Sequence, residues 1–264
     1  MSFISSRFGQ FAYFDAQLGK PVWQGKRVLD FGGNVGNMLK DPRSTIDHQT
    51  YCCIDVSKDA IEEGKRRYPD AHWIFYDRYN FAFNPTGTEG LALPYPGQQF
   101  DYVLAYSVFS HIGLSEMLDL VAQLETRLAA NGLLAFTFIH PHFNPATSNG
   151  GNHHQYYNGS CLKQRLERQN KDKPGVDVNA MLRRADDAEW CILVNDEDLH
   201  IESESLRDYD HTEKGSFCAF YSDAYIKTLF PGATLLPPPH DAYPPSPESV
   251  LQHCCIIRKA GGDD

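Results

Sequence analysis

The sequence predicts an α/β class fold: a doubly wound, mostly parallel sheet with an α+β insertion after its fifth strand. Short apolar runs alternate with helical patterns from residue 26 to residue 139. Several of these runs end in an aspartate, and a glycine-rich turn follows the first of them. Such alternation is typical of a parallel sheet covered by helices on both faces.

Composition narrows the class of protein. The 264 residues are 42% hydrophobic and 22% charged, as in an ordinary soluble globular protein. A net charge of −10 argues against nucleic acid as a partner, because binding of the phosphate backbone needs clustered lysine and arginine. No apolar run approaches the ~18–20 residues of a membrane span, and the seven cysteines show no metal-like spacing. We expect a cytoplasmic protein with reduced thiols and no membrane partner.

Residues 1–25 are predicted to form a helical lid segment, because they are rich in aromatic side chains. These are Phe3, Phe8, Phe11, Tyr13, Phe14 and Trp23. Aromatic residues on one helix either pack into the core at the sheet edge or close over a ligand. In the second case Tyr13 and Phe14 would contact the substrate.

The first strand, Lys26–Phe31, runs into a turn that contains Gly32, Gly33 and Gly36, and the helix Asn37–Lys40 follows. Glycine allows the left-handed backbone and the close approach of a ligand. A turn that opens onto a helix offers free N–H groups to a carboxylate or phosphate.

The second strand, Tyr51–Val56, ends near Asp55, about 20 residues past the glycine turn, where nucleoside-binding doubly wound folds hold ribose hydroxyls. Ser57 is the expected N-cap of a helix at Ala60–Tyr68. A third strand, Ala71–Asp77, again ends in an acid.

Residues 78–99 are rich in proline and glycine, which predicts an irregular loop that shapes a site. Strand four follows at Phe100–Ser107. The next helix is predicted at Ser115–Leu128, with Ser115 as its cap and Asn131-Gly132 as its end. Strand five is predicted at Leu133–Ile139.

The alternation breaks after His140. We interpret residues 141–215 as an inserted substrate-binding or lid region, with antiparallel strands at Glu189–Val194 and Leu199–Glu204. The core then resumes, so its two parts are residues 26–140 and 216–260. The expected elements of the second part are a strand at Phe217–Phe220, a helix at Ser222–Phe230 capped by Ser222, and a last strand at Cys254–Arg258.

The ordered motifs resemble those of the class I S-adenosylmethionine-dependent methyltransferases, over about residues 26–140 and 217–258. They are LDFGGNVG (29–36), CCIDVS (52–57), FYD (75–77), FDYVLAYSVFSHI (100–112) and LETRLAANGLLAFTF (124–138). The resemblance implies a Rossmann-like methyltransferase fold and S-adenosyl-L-methionine as cofactor. Asn34 stands at the family's middle glycine, and asparagine tolerates the left-handed backbone, so the turn can persist. The same stretch lacks the G-x-G-x-x-G of nicotinamide sites.

The resemblance also implies the residues that hold the cofactor. The methionine part would be held by Asp30, Gly32, Gly33, Asn34 and Gly36, and Ser107 would lie at the methionine end of strand four. Asp55 would bind both ribose hydroxyls. Val56 would lie against the adenine, and Asp77, with Arg78, would face the amino edge of the adenine. For Asp77 the alternative is a structural cap of the following loop.

Methyl transfer from a sulfonium is an in-line displacement, and a base is needed only when the acceptor must lose a proton. The candidate histidines are His140, His142 and His111. His140 would act as a base or as a donor that orients the substrate, and the alternative for His111 is a backbone-bonded structural residue. Further residues that could line an acceptor pocket are Phe143, Tyr156, Tyr157, Tyr209 and His211. We expect no metal, because no carboxylate partner is fixed by spacing.

The leading hypothesis is an enzyme that O- or N-methylates a small molecule in a natural-product tailoring step. The alternatives are methylation of a peptide or protein carboxylate, a non-methylating cofactor-dependent cyclase, and a catalytically silent cofactor-fold partner. The partners compatible with the leading hypothesis are a small-molecule acceptor and a second copy of the chain in a homodimer.

Overall fold

The computed structural model describes residues 9–80, 83–94, 97–140, 190–194, 198–200, 217–239 and 252–259. The helices are α1 (Gln10–Gln17), α2 (Asn37–Lys40), α3 (Lys58–Arg67), α4 (Leu114–Glu125) and α5 (Asp223–Leu229), with 3-10 turns at His48–Thr50 and Phe109–His111. The strands are β1 (Val28–Phe31), β2 (Tyr51–Asp55), β3 (His72–Phe75), β4 (Phe100–Ala105), β5 (Leu128–Ile139), β6 (Trp190–Val194), β7 (Asp198–His200), β8 (Phe217–Tyr221), β9 (Thr234–Leu236) and β10 (Gln252–Arg258).

The sheet has a parallel half in the order β3-β2-β1-β4-β5. Every residue of β1 and β2 is buried. Near-continuous apolar strands of this kind are typical of a parallel sheet with both faces covered. The fold class predicted from the alternation of strands and helices is therefore confirmed.

The other half of the sheet is mixed. β10 runs antiparallel to β5 over its whole length, and β9 pairs with β10. β8 meets the end of β5 in parallel, β6 is antiparallel to β8, and β7 is antiparallel to β6. The predicted antiparallel pair β6–β7 is confirmed, and β8 joins it to the main sheet. The boundaries of the inserted region stay a prediction.

Helix α1 is part of the core. Phe11 and Phe14 are buried, and they belong to one apolar cluster with Trp23 and the inner residues of β2. The Trp23 indole donates to Asp15 Oδ1 at 2.9 Å, and the Tyr13 hydroxyl donates to the Gln252 carbonyl at 2.6 Å. The described part of the N-terminal segment therefore fits the first interpretation, a helix packed at the sheet edge; its role as a lid stays a prediction.

Two helix caps were predicted correctly. Ser57 Oγ accepts from the Ala60 N–H at 3.3 Å, although α3 begins two residues earlier than predicted, at Lys58. Ser222 Oγ accepts from the Tyr225 N–H at 3.1 Å and so caps α5.

The prediction for the end of α4 was wrong. The helix begins after Gly113, so Ser115 lies within its first turn and is not the cap. The helix ends at Glu125, and Asn131-Gly132 lies inside β5. Asn131 has φ 63°, and the register between β4 and β5 shifts at this place, which makes it a bulge. An Asn-Gly pair supplies the left-handed backbone that a bulge needs as readily as the one that a helix end needs.

Cys52, Cys53, Cys254 and Cys255 are buried free thiols in the strands, as predicted. Burial raises the pKa of Cys52 to about 12, so it is unreactive at neutral pH. No helix within the described ranges has both the length and the apolar character to cross a membrane.

Candidate cofactor site and histidine pair

The carboxyl ends of β1, β2, β4 and β5 meet at one edge of the sheet, which we term the carboxyl edge. Doubly wound folds bind their ligands outside this edge. Gly32 follows β1, Val56 follows β2, Tyr106 and Ser107 follow β4, and His140 follows β5. The fold therefore gathers residues of the first, second and fourth motifs at this edge, together with His140.

The turn after β1 is left-handed at three residues. Gly32, Asn34 and Gly36 have φ 72°, 55° and 82°. The prediction that asparagine at position 34 preserves the turn is confirmed, and its Oδ1 accepts from the Val35 N–H at 2.9 Å. A Cβ at Gly32 would lie 2.5 Å from Val108 Cγ2, so the turn packs tightly against the segment after β4.

Asp30, at the end of β1, is a buried carboxyl. The Tyr51 hydroxyl donates to its Oδ2 at 2.5 Å, whereas its Oδ1 has no hydrogen-bond partner among the described residues. Burial raises the pKa of Asp30 to about 7. A Cβ at Gly33 would lie 2.5 Å from the Asp30 carboxyl, so glycine is required beside it. A buried carboxylate with one unused oxygen is suited to a cationic or N–H donor.

Asp55 ties β2 to the glycine turn. Its Oδ2 accepts from the Asn34 N–H at 2.8 Å, and its Oδ1 accepts from the Ser57 N–H at 2.7 Å. Burial raises the pKa of Asp55, and the backbone amides oppose that shift. A carboxylate has about four lone-pair sites, so both oxygens keep capacity for further donors such as hydroxyls.

Ser107 lies where β4 ends and has φ 57°, which is uncommon for a residue with a side chain. Its N–H donates to Thr137 Oγ1 at 2.7 Å, and its Oγ accepts from Gln252 Nε2 at 3.1 Å. Backbone strain of this kind is often found at functional sites. Sequence reasoning missed Gln252, because nothing local links a residue of β10 to the end of β4.

The residues assigned to the adenine are held by the loop after β3. Arg78 is buried, and it donates to Glu116 Oε1 and to the Leu91 carbonyl, each at 2.8 Å. Asp77 Oδ1 accepts from Asn84 Nδ2 at 3.0 Å. These contacts favour the structural-cap alternative for Asp77, and they show that Arg78 also braces this loop. A contact of Asp77, Arg78 or Val56 with adenine stays a prediction.

Tyr13 and Phe14 point into the protein. Both rings are buried, and both lie edge-on to Tyr106, with centroid separations of 5.3 and 6.1 Å. Tyr13 and Phe14 can therefore contact a substrate only if α1 shifts, and their substrate role stays a prediction.

His140 does not stand alone at the end of β5. Its ring stacks on the ring of His253 in β10, with centroids 4.7 Å apart and planes 19° apart. His253 Nδ1 lies 2.8 Å from Asp223 Oδ1 at the start of α5. His111 is placed elsewhere, with its ring 6.5 Å from that of Phe83.

Sequence reasoning named His140 but missed His253 and Asp223. The predicted cap at Ser222 placed Asp223 in a first helical turn, but no spacing joins it to a histidine 30 residues later. Within the described ranges, no group of three or more histidine, cysteine or acidic side chains is arranged to hold a metal ion.

The remaining predicted site residues lie outside the described residues. They are His142, Phe143, Tyr156, Tyr157, Tyr209 and His211. Their assignment to catalysis or to an acceptor pocket stays a prediction.

Comparison with known proteins agrees with this geometry. Residues 29–134 match a family model described as a methyltransferase domain. A search of curated proteins finds no match.

Solved structures resemble the chain at low sequence identity. An S-adenosylmethionine-dependent methyltransferase from Clostridium acetobutylicum is 10% identical with a TM-score of 0.50, and the match covers 95% of this chain and 92% of the other. Magnesium protoporphyrin IX methyltransferase from Synechocystis is 11% identical with a TM-score of 0.46, over 94% and 80% of the two chains. An amino pentose methyltransferase from Micromonospora echinaspora is 12% identical with a TM-score of 0.46, over 94% and 88%.

The matched segment runs from β1 to β5 and so contains the glycine turn, Asp30, Asp55 and Ser107. The sheet order and the family model agree on one assignment. Residues 29–134 thus match a methyltransferase domain, and the fold of the chain resembles that of a solved S-adenosylmethionine-dependent methyltransferase.

Proposed function

We propose that this protein transfers a methyl group from S-adenosylmethionine to an oxygen or nitrogen atom of a small molecule. The observation that carries the proposal is the pair of buried carboxylates, Asp30 and Asp55, on either side of a left-handed glycine turn. The match of residues 29–134 to a methyltransferase domain supports the class of enzyme, and the acceptor is inferred from charge and from the length of the segment after β5.

The residues at the turn fit the cofactor. The unused Oδ1 of Asp30 would accept from the ammonium of the methionine part, and the absence of a Cβ at Gly33 avoids a collision with that carboxyl. The spare lone pairs of Asp55 would accept from the two ribose hydroxyls. Gly32 and Gly36 keep the backbone open to close approach.

S-adenosylmethionine supplies a methyl group bonded to a positively charged sulfur. The protein's part is to place the acceptor in line with that methyl group and to take up a proton where the acceptor carries one. Ser107, at the end of β4, would lie beside the methionine part, and His140 lies at the end of the next strand. His140 would act either as the base or as a donor that orients the acceptor.

Charge supports a small acceptor. The net charge of −10 gives nucleic acid no electrostatic attraction. The long segment between β5 and β8 gives room for an acceptor site built for one compound, as in natural-product tailoring.

Calorimetry tests the cofactor half of the proposal. Because Asp30 has a pKa of about 7, binding of S-adenosylhomocysteine at pH 6.5 should release part of a proton as its ammonium meets the carboxyl. The observed heat should then differ between buffers of different ionisation enthalpy. Asp30→Asn should lose that difference, and the absence of any heat in the wild-type protein would indicate a silent partner instead.

Mass spectrometry tests the acceptor half. The full chain is incubated with S-adenosylmethionine and separate panels of phenols, amino sugars, amines and peptides. A product heavier by one methyl group in a hydroxyl or amine panel supports the proposal. Methylation confined to peptide carboxylates, or a product of unchanged mass, would contradict it in favour of protein methylation or cyclisation.

A further inference from the structure

We propose that His253 is the general base of the methyl transfer, oriented by Asp223 and stacked against His140. The proposal rests on the function proposed above and names two residues, His253 and Asp223, that the sequence motifs do not contain. It also decides between the two roles left open for His140. His253 takes the proton from the acceptor, and His140 holds the His253 ring in position.

The hydrogen bond between His253 and Asp223 sets which ring nitrogen can act. A carboxylate only accepts, so the 2.8 Å contact requires that Nδ1 of His253 carry the proton. In the neutral ring Nε2 is then the acceptor, which is the state that a general base needs. Burial raises the pKa of Asp223, but the hydrogen bond and charge of His253 outweigh burial and hold the pKa below its usual value, so the carboxyl stays ionised.

Stacking fixes the ring from its flat side. The two imidazoles are nearly parallel, and the ring of Phe138 lies 5.7 Å from His253 as well. The His253 side chain is 15% exposed, whereas Asp223 is 46% exposed. His253 is therefore held on two sides and still reachable, which is the arrangement expected of a preorganised base.

The pair lies beside the cofactor site. Gln252 pairs with Ile139 and His253 with Phe138 at the end of β5, so both lie at the carboxyl edge. The Gln252 side chain reaches Ser107 on one face of the sheet, and His253 projects from the other face toward α5. β10 pairs with β5, and β5 pairs with β4, so His253 lies two strand spacings, about 10 Å, from the segment after β4, which a small molecule can span.

The proton balance of the step is simple. The acceptor's oxygen or nitrogen forms a bond to the methyl carbon as the methyl–sulfur bond breaks, and the electron pair of the broken bond stays on sulfur. The proton of the acceptor passes to Nε2 of His253. The resulting imidazolium is stabilised by the Asp223 carboxylate and returns its proton to water after product release.

Few other charged groups face His253 among the described residues. Asp223 contributes from α5 and His140 from the end of β5. Lys227, one turn further along α5, donates to the Ala233 carbonyl. Asp223 is thus the carboxylate that a test must remove.

The first test needs no acceptor. Long-range proton–nitrogen spectra of the uniformly labelled full chain report which ring nitrogen of each histidine carries the proton. At neutral pH the wild-type protein should show His253 protonated at Nδ1, and Asp223→Ala should move that proton to Nε2 or mix the two forms. Protonation of Nε2 in the wild-type protein, or an unchanged spectrum in Asp223→Ala, would overturn the proposal.

The second test uses methyl transfer to whichever panel compound the wild-type protein methylates. His253→Ala should lower kcat by about 10²-fold or more while leaving the dissociation constant for S-adenosylhomocysteine within about twofold. Added imidazole should restore part of the lost rate, because it can occupy the vacated position and accept the proton. His72→Gln, an exposed histidine at the start of β3, is the matched control and should behave as wild type.

The two proposals fail in different ways. Lack of S-adenosylhomocysteine binding in the wild-type protein overturns the proposed function, whatever the ring spectra show. Intact binding together with an unchanged kcat in His253→Ala, or a lost rate that imidazole does not restore in a variant with wild-type thermal stability, overturns the base and leaves the proposed function standing.

Discussion

Replacing Asp30 by asparagine should change how the stability of the protein depends on pH. Asp30 has a pKa of about 7 in the folded state, against an ordinary value of 3.8 for an aspartate. The folded state therefore holds a proton that the unfolded chain has lost, and stability falls as pH rises through this interval. Each unit of difference is worth about 1.4 kcal/mol, so the free energy of unfolding should lose up to about 4 kcal/mol between about pH 4 and pH 7 and level off above.

The variant has no carboxyl to ionise at this position. The unfolding free energy of Asp30→Asn minus that of wild type should therefore increase as pH rises from about 4 to 7. The altered contact to Tyr51 should add an offset that does not depend on pH. Urea denaturation at half-unit pH steps measures this difference. A matched variant, Asp101→Asn, should show almost no slope over this range and the opposite slope below about pH 4, because the partners of Asp101 hold its pKa below the usual value against the effect of burial.

A difference that does not vary with pH would refute the reasoning, because it would mean that Asp30 is ionised in the folded protein as it is in the unfolded chain. Saturating S-adenosylhomocysteine should also flatten the pH dependence of the wild-type protein, since an ammonium beside Oδ1 favours the charged carboxyl. If bound ligand leaves the pH dependence of the unfolding free energy unchanged, the ammonium does not lie beside Asp30.

Three further predictions concern the turn and the histidines. Asn34→Gly should change the free energy of unfolding by less than about 0.5 kcal/mol, whereas Asn34→Val should lower it by about 1–2 kcal/mol, because the backbone at position 34 is left-handed. Chemical denaturation measures both values, and equal effects of the two substitutions would refute this. Gly33→Ala should cost about 1–3 kcal/mol and weaken S-adenosylhomocysteine binding, since its Cβ would strike Asp30, and Gly232→Ala, which meets nothing within 4 Å, is its control. His140→Ala should slow turnover with little change in cofactor affinity by calorimetry, and unchanged turnover would remove His140 from any role in the reaction.

The sequence was sufficient for the features that local chemistry decides. The parallel half of the sheet followed from buried apolar runs, and the caps at Ser57 and Ser222 followed from their position before helical patterns. The left-handed turn at Asn34 followed from its neighbours Gly33 and Gly36. Each of these signals is contained within a few residues.

The rest depended on contacts between distant parts of the chain. Asn131-Gly132 was misassigned because both a helix end and a bulge need a left-handed residue, and only the pairing of β5 with β4 decides between them. Gln252 meets Ser107 across 145 residues, and His253 meets Asp223 across 30. These meetings follow from the register of β10 on β5, which no local pattern specifies.

The most direct test of the central claim is the affinity of the protein for S-adenosylhomocysteine with and without the Asp55 carboxylate. Asp59→Asn, an exposed acid in the first turn of α3, serves as the matched control. The account predicts binding by wild type and by the control, and a loss of about 10²-fold in Asp55→Asn, because two hydroxyls lose a charged acceptor. No binding by wild type, or equal affinity in Asp55→Asn, would contradict it.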